Sequence, residues 1–106
     1  MDPIKRQKLE AAGWKVGSVA EFLQLSPEEE AIVEIRLSLS RYLKQLRQQQ
    51  QLSQQKLAEN ISSSQSRVAK MEASDPSVSI DLLIKSLLAL GAARTDIATA
   101  IAGSKT

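Results

Sequence analysis

From Ser64 to Glu72 the chain reads SQSRVAKME. Gln65, Ser66, Arg67 and Lys70 bring an amide, a hydroxyl, a guanidinium and an ammonium within about two helical turns. Such groups recognise a surface by hydrogen bonding; they do not break bonds. A carboxamide matches adenine with two hydrogen bonds, and Arg or Lys matches N7 and O6 of guanine. A serine at a helix start, with the free backbone amides beside it, suits phosphate oxygens. A hairpin that merely packs has no need of Gln, Ser, Arg and Lys together on one exposed face.

These side chains need a short helix held at a fixed angle, and the flanking residues provide for one. Over Leu52–Glu72 the sequence is LSQQKLAENISSSQSRVAKME. Ser53 is placed to cap a helix from Gln54 to about Asn60, and Ser64 to cap a second from Gln65 to about Ala73. Ile61-Ser62-Ser63 forms the turn between them. Leu52, Leu57, Ala58, Ile61, Val68 and Met71 are the residues facing inward. Ala58 is small, as a steep helix crossing requires. Ser53, Gln54 and Gln55 open the first helix and extend the candidate surface of Ser64, Gln65, Ser66, Arg67 and Lys70.

A longer helix precedes the pair. Ser26-Pro27-Glu28-Glu29-Glu30 combines a cap, a proline at the first position and a glutamate three residues after the cap. The acidic run suits the positive end of the helix dipole. The helix is expected to reach about Gln49. Ile32, Ile35, Leu39, Leu43 and Leu46 form a stripe toward the reading unit. Val33 and Leu37 form a second stripe, toward an N-terminal arm or a second subunit. The glutamines 48–51 read as a solvated helix end. After the pair, Asp75-Pro76 breaks the chain. Ser79 caps a helix from Ile80 to Leu90 that buries Ile80, Leu83, Ile84, Leu87 and Leu88, with Gly91 as its left-handed stop. Thr95 is expected to cap a last helix, Asp96–Ala102, with Ile97 and Ile101 inward. No segment alternates with period two over a useful length, so no sheet is expected.

Ahead of Ser26 the signals are weaker. Asp2 and Pro3 can start a helix that Gly13 stops, and Ser18 can cap another over Val19–Leu25. Trp14 and Phe22 either dock this arm on the main domain or serve an interface. The expected organisation is an arm over residues 1–25, a main domain over 26–103 and a tail over 104–106.

Composition removes other classes of function. The 106 residues suit one compact domain with an appended arm. Cysteine and histidine are both absent, which excludes disulfides, thiolate metal sites and the commonest general base and metal ligand. An enzyme would have to rely on carboxylates, and the acidic cluster is explained by its place at a helix start. No metal and no cofactor are expected. Net charge is +2 and the sequence pI about 9.1, so the distribution of charge matters more than its sum. Glu28, Glu29, Glu30 and Glu34 come first, whereas Arg36, Arg41, Lys44, Arg47, Lys56, Arg67 and Lys70 cluster around the proposed reading unit. The absence of a long apolar run and of a hydrophobic leader makes the cytoplasm the expected location, with no membrane contact.

The order of Leu52, Ser53, Gln54, Leu57, Ala58, Ser64, Val68, Met71 and Glu72 resembles the helix-turn-helix of phage repressors, the Cro/C1 or xenobiotic-response-element (XRE) type. The resemblance covers roughly Ser26–Ala102. It implies an all-α fold, a five-helix lambda-repressor-like DNA-binding domain, here with a short N-terminal helical arm. It implies that Gln54 contacts a phosphate and that Ser64, Gln65, Ser66, Arg67 and Lys70 form the recognition surface on double-stranded DNA. It also implies a largely buried ion pair between Arg47 and Glu72. Ser62 stands where the family usually has glycine, and Ser63 where it often has an apolar residue. A serine in the left-handed region is strained by about 1 kcal/mol. One short helix reads few base pairs, so a homodimer on a palindromic site is expected, through the last helix or the Trp14–Leu25 arm. The stretch GWKVGSVAEFLQLSPEEE resembles the lead-in of HigA-like antitoxins, whose partners are RelE- or HigB-like toxins. A toxin protein is therefore a second candidate partner.

Overall fold

The structure, a computed structural model, describes residues 24–103. Over these residues it is all-α: α1 Pro27–Gln49, α2 Gln54–Asn60, α3 Gln65–Glu72, α4 Ile80–Ala89 and α5 Arg94–Ala102. The readings placed on Asp2, Pro3, Gly13, Trp14, Ser18 and Phe22 lie outside the described residues. The chain divides into two compact units, with the break after Val33 inside α1.

In the first unit, α1 starts with both halves of a capping box. The Ser26 N–H donates to Glu29 Oε1 at 2.9 Å, and the Glu29 N–H donates to Ser26 Oγ at 3.1 Å. Gln24 has a φ of 58°, so the helix expected over Val19–Leu25 does not continue to Leu25. Ile32, expected to face inward, is exposed, as is Val33.

In the second unit, Leu39 and Leu43 of α1 are fully buried and Ile35 and Leu46 pack beside them. The inward stripe therefore starts at Ile35. Ile32 has the right spacing, but spacing fixes only direction; burial needs a partner at that height along the helix. Leu37, of the second stripe, is exposed. The core is completed by Leu57, Ala58, Val68, Met71, Leu83, Leu87 and Ile97, with Val78, Leu90 and Ala92 contributed by the connecting segments. Sequence periodicity missed these last three because they lie outside or at the ends of the periodic runs.

Three further expectations fail here. Leu88 is exposed. At about 100° per residue, Leu83, Leu87 and Leu90 fall within about 60° of one direction, and Leu88 lies about 140° from Leu83. Five apolar residues were too wide a face for one side of a ten-residue helix. Ile101 is also exposed, in the final turn of α5, one turn beyond buried Ile97. The cap of α5 is Ala93, not Thr95. Asp96 reaches back to accept the Ala93 N–H at 2.9 Å, so half of a capping box forms without a hydroxyl at the cap.

Tertiary hydrogen bonds tie α1 to the loops. Arg36 donates to the Val78 carbonyl, and Gln50 Nε2 donates to the Leu90 carbonyl at 2.7 Å. Gln50 is thus a clamp on the end of α4, and the glutamine run is more than a solvated helix end. Two serines are buried in this unit, and they differ. Ser86 Oγ donates to the Leu82 carbonyl at 2.8 Å, whereas Ser40 Oγ is buried without a hydrogen-bond partner. An unpaired buried hydroxyl costs about 1–3 kcal/mol. Ser40→Ala is expected to raise stability by about 1 kcal/mol, read as a higher urea midpoint at unchanged slope. A loss of stability would mean that the Ser40 hydroxyl is paired after all.

Candidate nucleic-acid interface

Two serine caps set the geometry of the α2–α3 pair. Ser53 is extended (φ −77°, ψ 164°), and its Oγ accepts the Lys56 N–H at 3.0 Å. Ser64 is extended as well (φ −112°, ψ 157°), and its Oγ accepts the Arg67 N–H at 3.2 Å. Each hydroxyl satisfies an amide that the first helical turn leaves unpaired. The two helices pack on each other through Leu57, Ala58, Val68 and Met71.

The turn between them is a Schellman stop. The Ser63 N–H donates to the Ala58 carbonyl at 2.7 Å, and the Ser62 N–H donates to the Glu59 carbonyl at 3.2 Å. Ser62 occupies the left-handed position at φ 56°. The same pair of bonds closes α1 at Gln51 (φ 59°) and α3 at Ser74 (φ 60°). It closes α4 at Gly91, whose φ is 96° and whose missing Cβ would meet open space. Glycine at 91 is thus favoured by its backbone angle and not by crowding.

One carboxylate joins three helices. Arg47 Nε donates to Glu72 Oε2 at 2.6 Å, and Arg47 Nη2 donates to Glu72 Oε1 at 3.0 Å. Gln54 Nε2 donates to the same Oε1 at 3.1 Å, and Arg47 Nη1 donates to the Leu52 carbonyl at 2.7 Å. The pair is largely removed from water, with 11% of the Arg47 side chain and 4% of the Glu72 side chain exposed. The end of α1, the start of α2 and the end of α3 are held together at this point. The tie from Gln54 to Glu72 had no signal in the sequence, since it depends on where α2 begins relative to the end of α3.

Around α3, Ser66 and Lys70 lie opposite the buried side made by Val68 and Met71, and Gln65 and Arg67 lie on its two flanks. Ser64, Gln65, Ser66, Arg67 and Lys70 are exposed. Among the described residues, the side chains of Gln65, Arg67 and Lys70 have no hydrogen-bond or ion-pair partner. Ser53 and Gln55 are exposed at the start of α2, and Gln54 is half-buried there by its bond to Glu72. The structure thus gathers Ser64 to Lys70 along one helix and fixes Gln54 against its far end. The first turn of α3 carries no acid, and its last turn carries Lys70. Arg47 of α1 is neutralised by Glu72, and the cations of α3 itself, Arg67 and Lys70, are unpaired among the described residues. Lys56 faces Glu59 at 3.6 Å with both side chains mostly in water, a contact of little energetic weight.

Just past α3, the Asp75 carboxyl is held below the usual carboxylate range. The main cause is the Ser77 backbone N–H that it accepts at 2.8 Å, and the charge of Lys70 adds to it. Burial raises the Tyr42 hydroxyl above its ordinary value, and the charge of Asp96 acts in the same direction. Among the described residues there is no cluster of three or more acidic side chains suited to a metal ion, and no helix long and apolar enough to cross a membrane.

A family model described as helix-turn-helix matches residues 43–97, from buried Leu43 in α1 to buried Ile97 in α5. Neither the curated proteins nor the solved structures contain a significant match to this chain.

Proposed function

This chain belongs to the helix-turn-helix family of the Cro/C1 (XRE) type, and on that premise we propose that it regulates transcription by placing α3 in the major groove of DNA. The family is one of DNA-binding transcription regulators and is not normally enzymatic. The observation that carries the reading is that Gln65, Ser66, Arg67 and Lys70 are all exposed on a helix whose cap, turn and far end are each fixed. Gln65, Ser66, Arg67 and Lys70 read base edges. Ser53, Gln54, Gln55 and the backbone N–H of Ser64 meet the phosphates. Gln54 spends one amide hydrogen on Glu72 and keeps the other for a phosphate oxygen.

Two copies bind together on a palindromic site, with half-sites about one helical turn apart. Exposed Leu88 and Ile101 on the last two helices are the apolar contacts that suit a second copy, while Ile97 is taken up by the core. Arg67→Ala is expected to weaken specific binding by about 1–3 kcal/mol and to relax base preference at one position. Gln54→Ala is expected to weaken binding to all sequences alike. Titrations against matched and scrambled duplexes separate the two outcomes. Unchanged affinity in both Arg67→Ala and Lys70→Ala would remove α3 from the interface.

A second reading is that the chain also neutralises a toxin protein of the RelE or HigB type and represses its own operon. It is favoured by the stretch GWKVGSVAEFLQLSPEEE, which resembles the lead-in of small regulators paired with such toxins. Co-expression with a RelE- or HigB-type toxin is expected to yield a stable complex. Failure to co-purify would remove this reading and leave DNA binding untouched.

A further inference from the structure

We propose that Ser64 sets which kind of base edge Ser66 can read, so that a cap of the fold is also a determinant of sequence preference. The inference rests on α3 being the reading helix. Ser64 Oγ lies 3.2 Å from the Arg67 nitrogen, whose hydrogen it accepts, and 3.3 Å from Ser66 Oγ. Both serines are exposed, so the outward valence of Ser66 is available to a ligand.

A hydroxyl has one hydrogen to give and two lone pairs. The Arg67 amide occupies one lone pair of Ser64 Oγ. In one arrangement the Ser64 hydroxyl donates to Ser66, giving a chain in which Arg67 N–H, Ser64 O–H and Ser66 O–H follow head to tail. In the other, Ser66 donates inward and two hydrogens converge on one oxygen. Head-to-tail chains strengthen each of their bonds, and convergent donors do not. The first arrangement is therefore preferred. It leaves the single hydrogen of Ser66 and one of its lone pairs directed outward, so Ser66 can donate to a base edge, which the second arrangement does not allow. The matching base edges are acceptors: purine N7, guanine O6 and thymine O4. The amino groups of cytosine N4 and adenine N6 meet only the one remaining lone pair of Ser66.

Ser64 is thus a positioning residue, and its test is a change in the direction of base preference, which a purely structural cap would not produce. Ser64→Asp keeps a strong helix cap but can only accept hydrogen bonds, so the Ser66 hydrogen turns inward and its lone pairs face outward. The added charge lowers affinity for every duplex, and a ratio of affinities between duplexes differing at one base pair cancels that loss. For the full-length chain, an acceptor-edged base is expected to be preferred about 3–10-fold at the Ser66 position. Ser66→Ala is expected to bring that ratio to one, and Ser64→Asp to invert it toward a donor-edged base. Ser64→Gly, which costs the fold only a few tenths of a kcal/mol, is expected to reduce the ratio without reversing it. If Ser66→Ala abolishes the preference and Ser64→Asp leaves it as in the parent chain, the coupling is refuted and α3 remains the reading helix. If Ser66→Ala, Arg67→Ala and Lys70→Ala all leave the base preferences unchanged, the reading helix itself is refuted and the coupling with it.

Discussion

Glu72→Ala is expected to destabilise the fold by about 3–5 kcal/mol. The carboxylate accepts two hydrogen bonds from Arg47 and one from Gln54. Removing it leaves an almost buried guanidinium without its counter-charge. Breaking one side of such a pair costs far more than the pair contributes over an apolar replacement of similar volume. Three comparisons therefore separate charge from packing. Glu72→Gln removes the charge and keeps one of the two acceptor oxygens, and should fall between the parent chain and Glu72→Ala. Replacing Arg47 by Met together with Glu72 by Leu should recover most of the loss. The double variant should nonetheless bind DNA less well, because Gln54 has lost the acceptor that orients it. Urea unfolding reads the first two effects and duplex titration the third. A cost below about 1 kcal/mol for Glu72→Ala would mean that the network contributes little to holding the helices together.

The opposite sign is expected for the helix stops. Gln51, Ser62 and Ser74 sit at φ 59°, 56° and 60°, each at the left-handed position of a Schellman motif. A side chain there costs roughly 1–2 kcal/mol, and glycine avoids it at the expense of a more flexible unfolded chain. Each change to glycine should therefore gain somewhat under 1 kcal/mol. The turns share no bonding partner, so the gains should add. The triple variant is expected to be about 2 kcal/mol more stable, with Tm raised by about 8–16 °C for a domain of this size. No change in Tm would mean that the three turns relax out of the left-handed region at little cost. Affinity for DNA should be retained, because none of the three side chains belongs to the proposed reading surface.

How much of this could be read from the amino-acid sequence depends on the range of the interaction involved. Ser26, Ser53, Ser64 and Ser79 were legible as caps because a cap hydroxyl bonds an amide three residues on. The inward faces of α2 and α3 followed from helical spacing. The Arg47–Glu72 pair and the left-handed strain at Ser62 came through resemblance to a family, not through spacing. Contacts set by three-dimensional placement stayed hidden. Gln50 looked like part of a polar run, yet it clamps the Leu90 carbonyl. Val78, Leu90 and Ala92 lie in or beside connections, where periodicity has no force, yet they are buried. Leu88 and Ile32 have apolar side chains with no described partner at their position, so their hydrophobicity misled. Thr95 looked like a better cap than Ala93, and the turn after Gly91 and the reach of Asp96 decided otherwise. The left-handed strain at Gln51 and Ser74 carried no residue-level signal.

The most direct test that α3 reads DNA is selection from a random duplex library by the full-length chain, repeated with Arg67→Ala and Lys70→Ala. The expected result is a single enriched site with two inverted half-sites about one helical turn apart, degraded at specific positions by each substitution. No enrichment by the parent chain, or an identical site from all three proteins, would contradict the assignment of Ser64 to Lys70 as the reading surface.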